Sequence, residues 1–274
     1  MKNFYLGTGV IVLAASLAGA DYQPPFQAGE DLTFAIRWGV VTGGYATLSV
    51  PSIDLIGGQP AYHILSEAHS TGVVDTFYKV RDKNEAWMDK TSPRSLGYSK
   101  KIHEGNYSVD EVVELDQTAR TFHTTEIRHD KNDAKEEKKG EIPPNVLDIL
   151  SSLYYIRSVP LEVGKTFTID VHSGDKTWPL LVKVKKLEKV KVKAGKFLCY
   201  RVEPVLRERG IFIAKGKKME VWMTADARHM PVLMRSEIFI GHVSAELVKM
   251  NVPAPTENTT TLAAHPYPPA PASF

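Results

Sequence analysis

From residue 30 onward the chain alternates apolar and polar residues in short runs, and this period of two constrains the fold more than any other feature. Leu32, Phe34, Ile36 and Trp38 fall on one face of an extended segment, while Thr33, Ala35 and Arg37 fall on the other, the pattern of a half-buried strand. Gly43-Gly44 and Gly57-Gly58 punctuate the pattern. It returns over 45–50, 61–68, 85–88, 96–103, 107–115 and 120–128, then over 166–171, 178–187, 190–192, 197–204, a pair around Gly216, and 232–247. This predicts about a dozen strands. Turns such as Glu104-Gly105-Asn106 are too short for the crossovers that parallel neighbours need, so the strands join as an antiparallel meander. A twisted sheet of that size curls or splits into two layers. The fold class is therefore mainly β: a curved sheet, an open barrel or a sandwich.

One stretch breaks the rhythm. Residues 145–165, NVLDILSSLYYIRSVPLEVGK, carry apolar side chains at helical spacing. Pro143-Pro144 precede Asn145 as a candidate N-cap, Asp148 falls in the first turn where negative charge favours the helix dipole, and Pro160 ends the segment. So short a helix is marginal alone in water. Val146, Ile149, Leu150, Leu153 and Tyr154 are thus expected to pack on the sheet from one central α-helix, each gaining roughly 1.5–3 kcal/mol on burial. The helix is either a plug that completes the core or a lid over an apolar cavity.

The two ends of the chain differ from its middle. Met1-Lys2-Asn3, an apolar run from Phe4 to Leu17 and the small residues Ala18-Gly19-Ala20 read as a cleavable signal peptide over 1–20. The run falls short of the roughly 20 apolar residues that span a bilayer. A single β-rich domain is expected over 21–250. Residues 251–274, rich in Pro, Thr and Ala without an apolar period, read as a disordered tail. Cys199 is the only cysteine, so no intrachain disulfide contributes. With 34 basic and 32 acidic residues, the chain lacks the strongly basic character of a nucleic-acid binder.

Several ordered pieces carry a resemblance: Gly29-Glu30-x-Leu32-x-Phe34, then Asp148-x-x-Ser151-x-x-Tyr154-x-x-Arg157-x-x-Pro160-Leu161-x-x-Gly164, then Gly195-x-Phe197, Val221-Trp222, Asp226, Pro231-Val232 and Gly241-x-Val243. In this order, over roughly residues 26–250, they resemble an exported bacterial family known as domain of unknown function 3108. The resemblance implies a β-rich domain of bacterial envelopes and supplies no activity and no catalytic residues. The charged insert HDKNDAKEEKKGE before the helix looks particular to this chain.

The chemistry-bearing residues point away from catalysis. The sequence contains no Gly-x-Ser-x-Gly elbow, no His-Glu-x-x-His, no Cys-x-x-Cys and no phosphate loop. His63, Glu67 and His69 share one strand face, as do His123 and His129, and imidazole with carboxylate suits zinc. Residues six apart on a strand lie roughly 20 Å from one another, so no metal and no cofactor is expected. The basic run at 183–196 sets Lys183 and Lys185 on one strand and Lys189, Lys191 and Lys193 on the next, if 186–188 is a turn. Those rows either solvate an edge or meet anionic lipid head groups or acidic glycans. The reading is an exported, non-enzymatic envelope domain that binds an envelope component, a lipid-like ligand being one candidate. An enzyme acting on envelope glycan or lipid is the alternative, and an outer-membrane barrel a third.

Overall fold

The structure is a computed structural model and describes residues 22–206, 218–237, 241–253 and 263–264. The expected signal peptide, the expected strand pair around Gly216 and most of the tail lie outside the described residues. The first wing comprises β1 (Glu30–Trp38), β2 (Val41–Ile56), β3 (Gln59–Ser70), β4 (Arg81–Asp89), β5 (Ser95–Glu104), β6 (Tyr107–Asp116), β7 (Thr121–Arg128) and β8 (Ala134–Glu141). The second comprises β9 (Thr166–Ser173), β10 (Lys176–Val192), β11 (Gly195–Leu206), β12 (Met219–Thr224), β13 (Pro231–Glu237) and β14 (His242–Asn251), with β15 (Ala263–Ala264) at the end. Helix α1 (Gly72–Phe77) follows β3, and α2 (Ile149–Ser158) joins the wings.

The antiparallel meander expected from the alternation is what the chain forms. One sheet runs in the order β8-β7-β6-β5-β4-β3-β2-β1-β14-β13-β12-β11-β10-β9. Each wing zips neighbour to neighbour, and the wings join where β1 pairs with β14. The sheet edges are therefore β8 and β9, which are consecutive in the chain and linked by α2. No ladder joins them among the described residues. The linker instead ties the second wing to the first. Leu147 bridges Val171 in parallel, its N–H donating to the Asp170 carbonyl at 3.0 Å and its carbonyl accepting from His172 at 2.7 Å. On the other side, the Val146 carbonyl accepts from the Ser95 N–H at 3.0 Å and from Gln117 Nε2 at 3.0 Å. The β9–β10 turn leans on the first wing, where Thr124 Oγ1 donates to the Gly174 carbonyl at 2.5 Å and Tyr98 accepts from the Gly174 N–H at 2.7 Å.

Two apolar clusters fill the curve. The larger joins both wings and α2 through Val50, Ile64, Met88, Val113, Tyr154 and Val202. The smaller unites Leu32, Phe34, Leu48, Val232 and Leu247 with Val192 and Cys199 from the β10–β11 hairpin, whose tip is pinned by the Ala194 N–H to the Leu247 carbonyl at 3.1 Å. An apolar, helix-filled interior inside an open sheet is the reverse of an outer-membrane barrel, whose lumen is polar and whose outside is apolar.

Four local expectations change. The helix begins at Ile149, not near Asn145: Asn145 has a left-handed φ of 58°, and Val146 is fully buried in the extended linker. The helix is not alone, since α1 adds one short turn with no buried residue. Residues 183–192 form one continuous strand with a bulge between Val184 and Lys186, so there is no turn at 186–188. The tail is not wholly off the fold, because Ala263–Ala264 pair in parallel with Asp54 and Leu55 of β2. β2 outruns β1, whose last partner there is Val50, and that leaves the backbone of the following residues free on one side.

Candidate functional site

Helix α2 reaches both clusters through Leu150 and Leu153, and its sequence fastens it at each end. Asp148 is its N-cap: Oδ1 accepts from the backbone N–H of Leu150 at 2.8 Å and of Ser151 at 2.9 Å, as a cap should. Oδ2 accepts from Ser95 Oγ at 2.6 Å and Ser151 Oγ at 2.5 Å. Burial pushes the Asp148 carboxyl up from its ordinary range, against the opposing pull of these donors. At the other end Arg157 forms a bidentate pair with Glu30, 2.6 Å and 2.8 Å, with both side chains 1% exposed. Its guanidinium also lies over the rings of Phe26 at 5.4 Å and Tyr154 at 5.0 Å. The helix is thus anchored to β1 at one end and to β5 at the other.

Between these anchors the helix exposes a seam. Tyr154 is buried as expected, whereas Ile149, Leu150 and Leu153 are only partly buried. Leu150 and Leu153, with Met234 of β13, pack against both clusters. The expected helix face is therefore divided, with Tyr154 sealed in the larger core and the two leucines at the junction of the cores. The hydroxyl of Tyr154 has no hydrogen-bond partner among the described residues.

The lysines do not form the expected two-strand patch. Lys183 is half-buried opposite Glu203 in the ladder, and Lys185, at the bulge, lies 3.7 Å from the Glu203 carboxylate. Lys189, Lys191 and Lys193 are exposed toward the hairpin tip, and the ladder brings Lys196 opposite Lys191. The bulge shifts the alternation, which separates the two groups.

The histidines are held singly. His63 lies 3.1 Å from Glu85 and 3.5 Å from Asp54 and stacks on Trp87 at 5.3 Å. Glu67 pairs in register with Lys83, and His69 sits beside the Tyr45 ring. His123 lies 3.6 Å from both Glu114 and Glu137, and His129 is 2.6 Å from Asp133. Among the described residues no group of three or more His, Cys, Asp or Glu could hold a metal ion. Burial pushes the Cys199 thiol up to about 12, which leaves it unreactive at neutral pH.

The family model described as Protein of unknown function (DUF3108) matches residues 33–248. The chain belongs to this family. No curated protein matches it. A β-barrel-like protein of the domain of unknown function DUF1849 from Brucella abortus is similar in structure, with a TM-score of 0.54 and 9% identity over 82% of this chain and 98% of that one. That likeness shows the fold alone. A protein with a YmcC-like fold from Bacteroides fragilis NCTC 9343 gives a TM-score of 0.37 and 8% identity over 85% of this chain and 100% of that one, too distant to carry an argument. In this DUF3108 chain, several residues of the family-like pattern prove to be the fastenings of α2. Asp148, Ser151, Tyr154 and Arg157 lie on or beside the helix, and Glu30 is the distant partner. Sequence reasoning missed the Glu30–Arg157 pair, since 127 positions separate them. The signal available was the burial of a charged Arg amid an apolar helix face, which requires a carboxylate.

Proposed function

We propose that this protein is an exported, non-enzymatic binding protein of the cell envelope whose ligand is apolar and lipid-like, held along α2. One observation carries the reading. Leu150, Leu153 and Met234 touch both clusters yet keep contact with solvent, while the clusters' own members are buried. Apolar side chains left wet between two dry cores favour a partner that displaces that water, and an acyl chain does so without leaving a polar group unpaired. The anchors at Asp148 and Arg157 support a fixed helix, so the ligand slides along a rigid wall and no lid swings.

The test is native mass spectrometry of the protein expressed with its leader and purified from its own envelope, followed by lipid extraction. The expected result is a bound mass that extracts as lipid, and a Leu153→Trp variant that loses it by filling the seam. A ligand-free mass, together with a melting temperature unmoved by added phospholipid or fatty acid, would overturn the reading.

A further inference from the structure

The β10–β11 hairpin tip has two faces of opposite character. On one, Val190, Val192, Phe197 and Cys199 join the smaller core cluster. The hairpin's only acidic side chain between 186 and 200, Glu188, shares that face, opposite Cys199, and it is held by Lys186 at 2.5 Å and by the Trp222 indole at 2.8 Å. On the other face, Leu187, Lys189 and Lys191 alternate along β10 and Lys193 follows in the turn. The ladder sets Leu198 opposite Lys189 and Lys196 opposite Lys191. Leu187 is 44% and Leu198 48% exposed. No carboxylate of the described residues pairs with any of these four lysines.

Like charges directly opposite on a sheet destabilise it, so Lys191 facing Lys196 is a cost that an anionic partner would remove. A row of lysines alone would suit any polyanion. Two exposed leucines amid the lysines add apolar area that a glycan leaves wet and a bilayer interface buries. We infer that this face of the hairpin docks the protein onto an anionic phospholipid bilayer, with lysines at the head groups and Leu187 and Leu198 dipping between them. This surface is distinct from the seam along α2, and it can act whether or not that seam holds a ligand.

The experiment is vesicle co-sedimentation of the mature protein with phosphatidylglycerol–phosphatidylcholine vesicles, with phosphatidylcholine vesicles, and with soluble polygalacturonate. Each lysine near an anionic surface contributes roughly fivefold in partitioning. Changing Lys189, Lys191, Lys193 and Lys196 to Gln should therefore lower binding to the anionic vesicles by roughly a hundredfold or more. The same four changed to Arg should keep binding, and Lys138→Gln with Lys139→Gln on β8 should leave it unchanged. Leu187→Ser with Leu198→Ser should weaken vesicle binding several-fold at raised salt, where screening removes much of the lysine contribution. Anionic-vesicle binding that is absent, or unaltered in the quadruple Gln variant, overturns the inference. Binding to polygalacturonate equal to that on vesicles, with no effect of the leucine changes, also overturns it and assigns the face to acidic glycans. The altered side chains of the hairpin are exposed, and unchanged melting curves will confirm that all the variants fold.

Discussion

The two ends of helix α2 are both fastened by buried charged groups, but by opposite means. At the C-terminal end Arg157 meets Glu30 in a bidentate pair, so each charge is neutralised by its neighbour. At the N-terminal end Asp148 meets no cation. Two backbone N–H groups and two hydroxyls surround it, and only partial charges compensate its burial. The contrast explains why burial raises the Asp148 carboxyl. It also shows two routes to the same end: an ion pair ties the helix to a distant strand, and a hydrogen-bonded cap ties it to a near one.

Breaking the ion pair should have the largest effect. Arg157→Ala leaves Glu30 buried without a partner and should cost roughly 3–5 kcal/mol in urea unfolding. Replacing both with Met should recover most of that loss, because well-packed apolar pairs often match buried ion pairs. A double variant as unstable as Arg157→Ala would mean that the lost aromatic contacts, not the charge, set the cost. Asp148→Ala should cost less, roughly 1–2 kcal/mol, as the loss of an N-cap.

The contrast also predicts a pH signature. An unfolded Asp titrates near about 3.9, and burial places the folded value higher. The Asp148 contribution to stability is thus fully present below the unfolded value and is lost as pH rises through the folded one. Asp148→Asn keeps an acceptor for the Leu150 and Ser151 N–H groups while removing the charge. Its stability relative to wild type should improve as pH rises from about 4 toward neutral, measured by paired urea melts. An identical pH profile in both proteins would place no strain on the carboxylate. Smallest of all, Ser95→Ala removes one of two hydroxyl donors and should cost about 1 kcal/mol.

Regular alternation made most of the strands legible, and the misses have physical causes. β8 has the sequence AKEEKKGE, with no apolar face to read, because it is a charged edge that discourages further pairing. β10 looks interrupted at 185–188 because a bulge there shifts the alternation from one face to the other. The helix starts later than the spacing predicts because Val146 and Leu147 are as apolar as the helix that follows, yet Leu147 serves as a strand-like stitch to Val171. The Asp148-x-x-Ser151 spacing marks the true cap. The seam at Leu150 and Leu153 was not legible at all. Spacing shows which residues face inward, and it is silent on whether two cores meet there tightly.

The junction of β1 with β14 has a consequence for how the chain finds its structure. Every other ladder of the meander links strands adjacent in sequence, whereas this one brings together segments such as Gln27 and Pro253, 226 positions apart. Each wing can therefore zip from local turns, and the late, slow event is the meeting of the two wings across a long loop. Because Gln27 and Pro253 are held side by side, joining these two segments by a short linker and reopening the chain at the exposed Pro144–Asn145, between β8 and α2, would make every ladder of the meander a hairpin between neighbours. Such a permuted chain should fold faster to the same sheet.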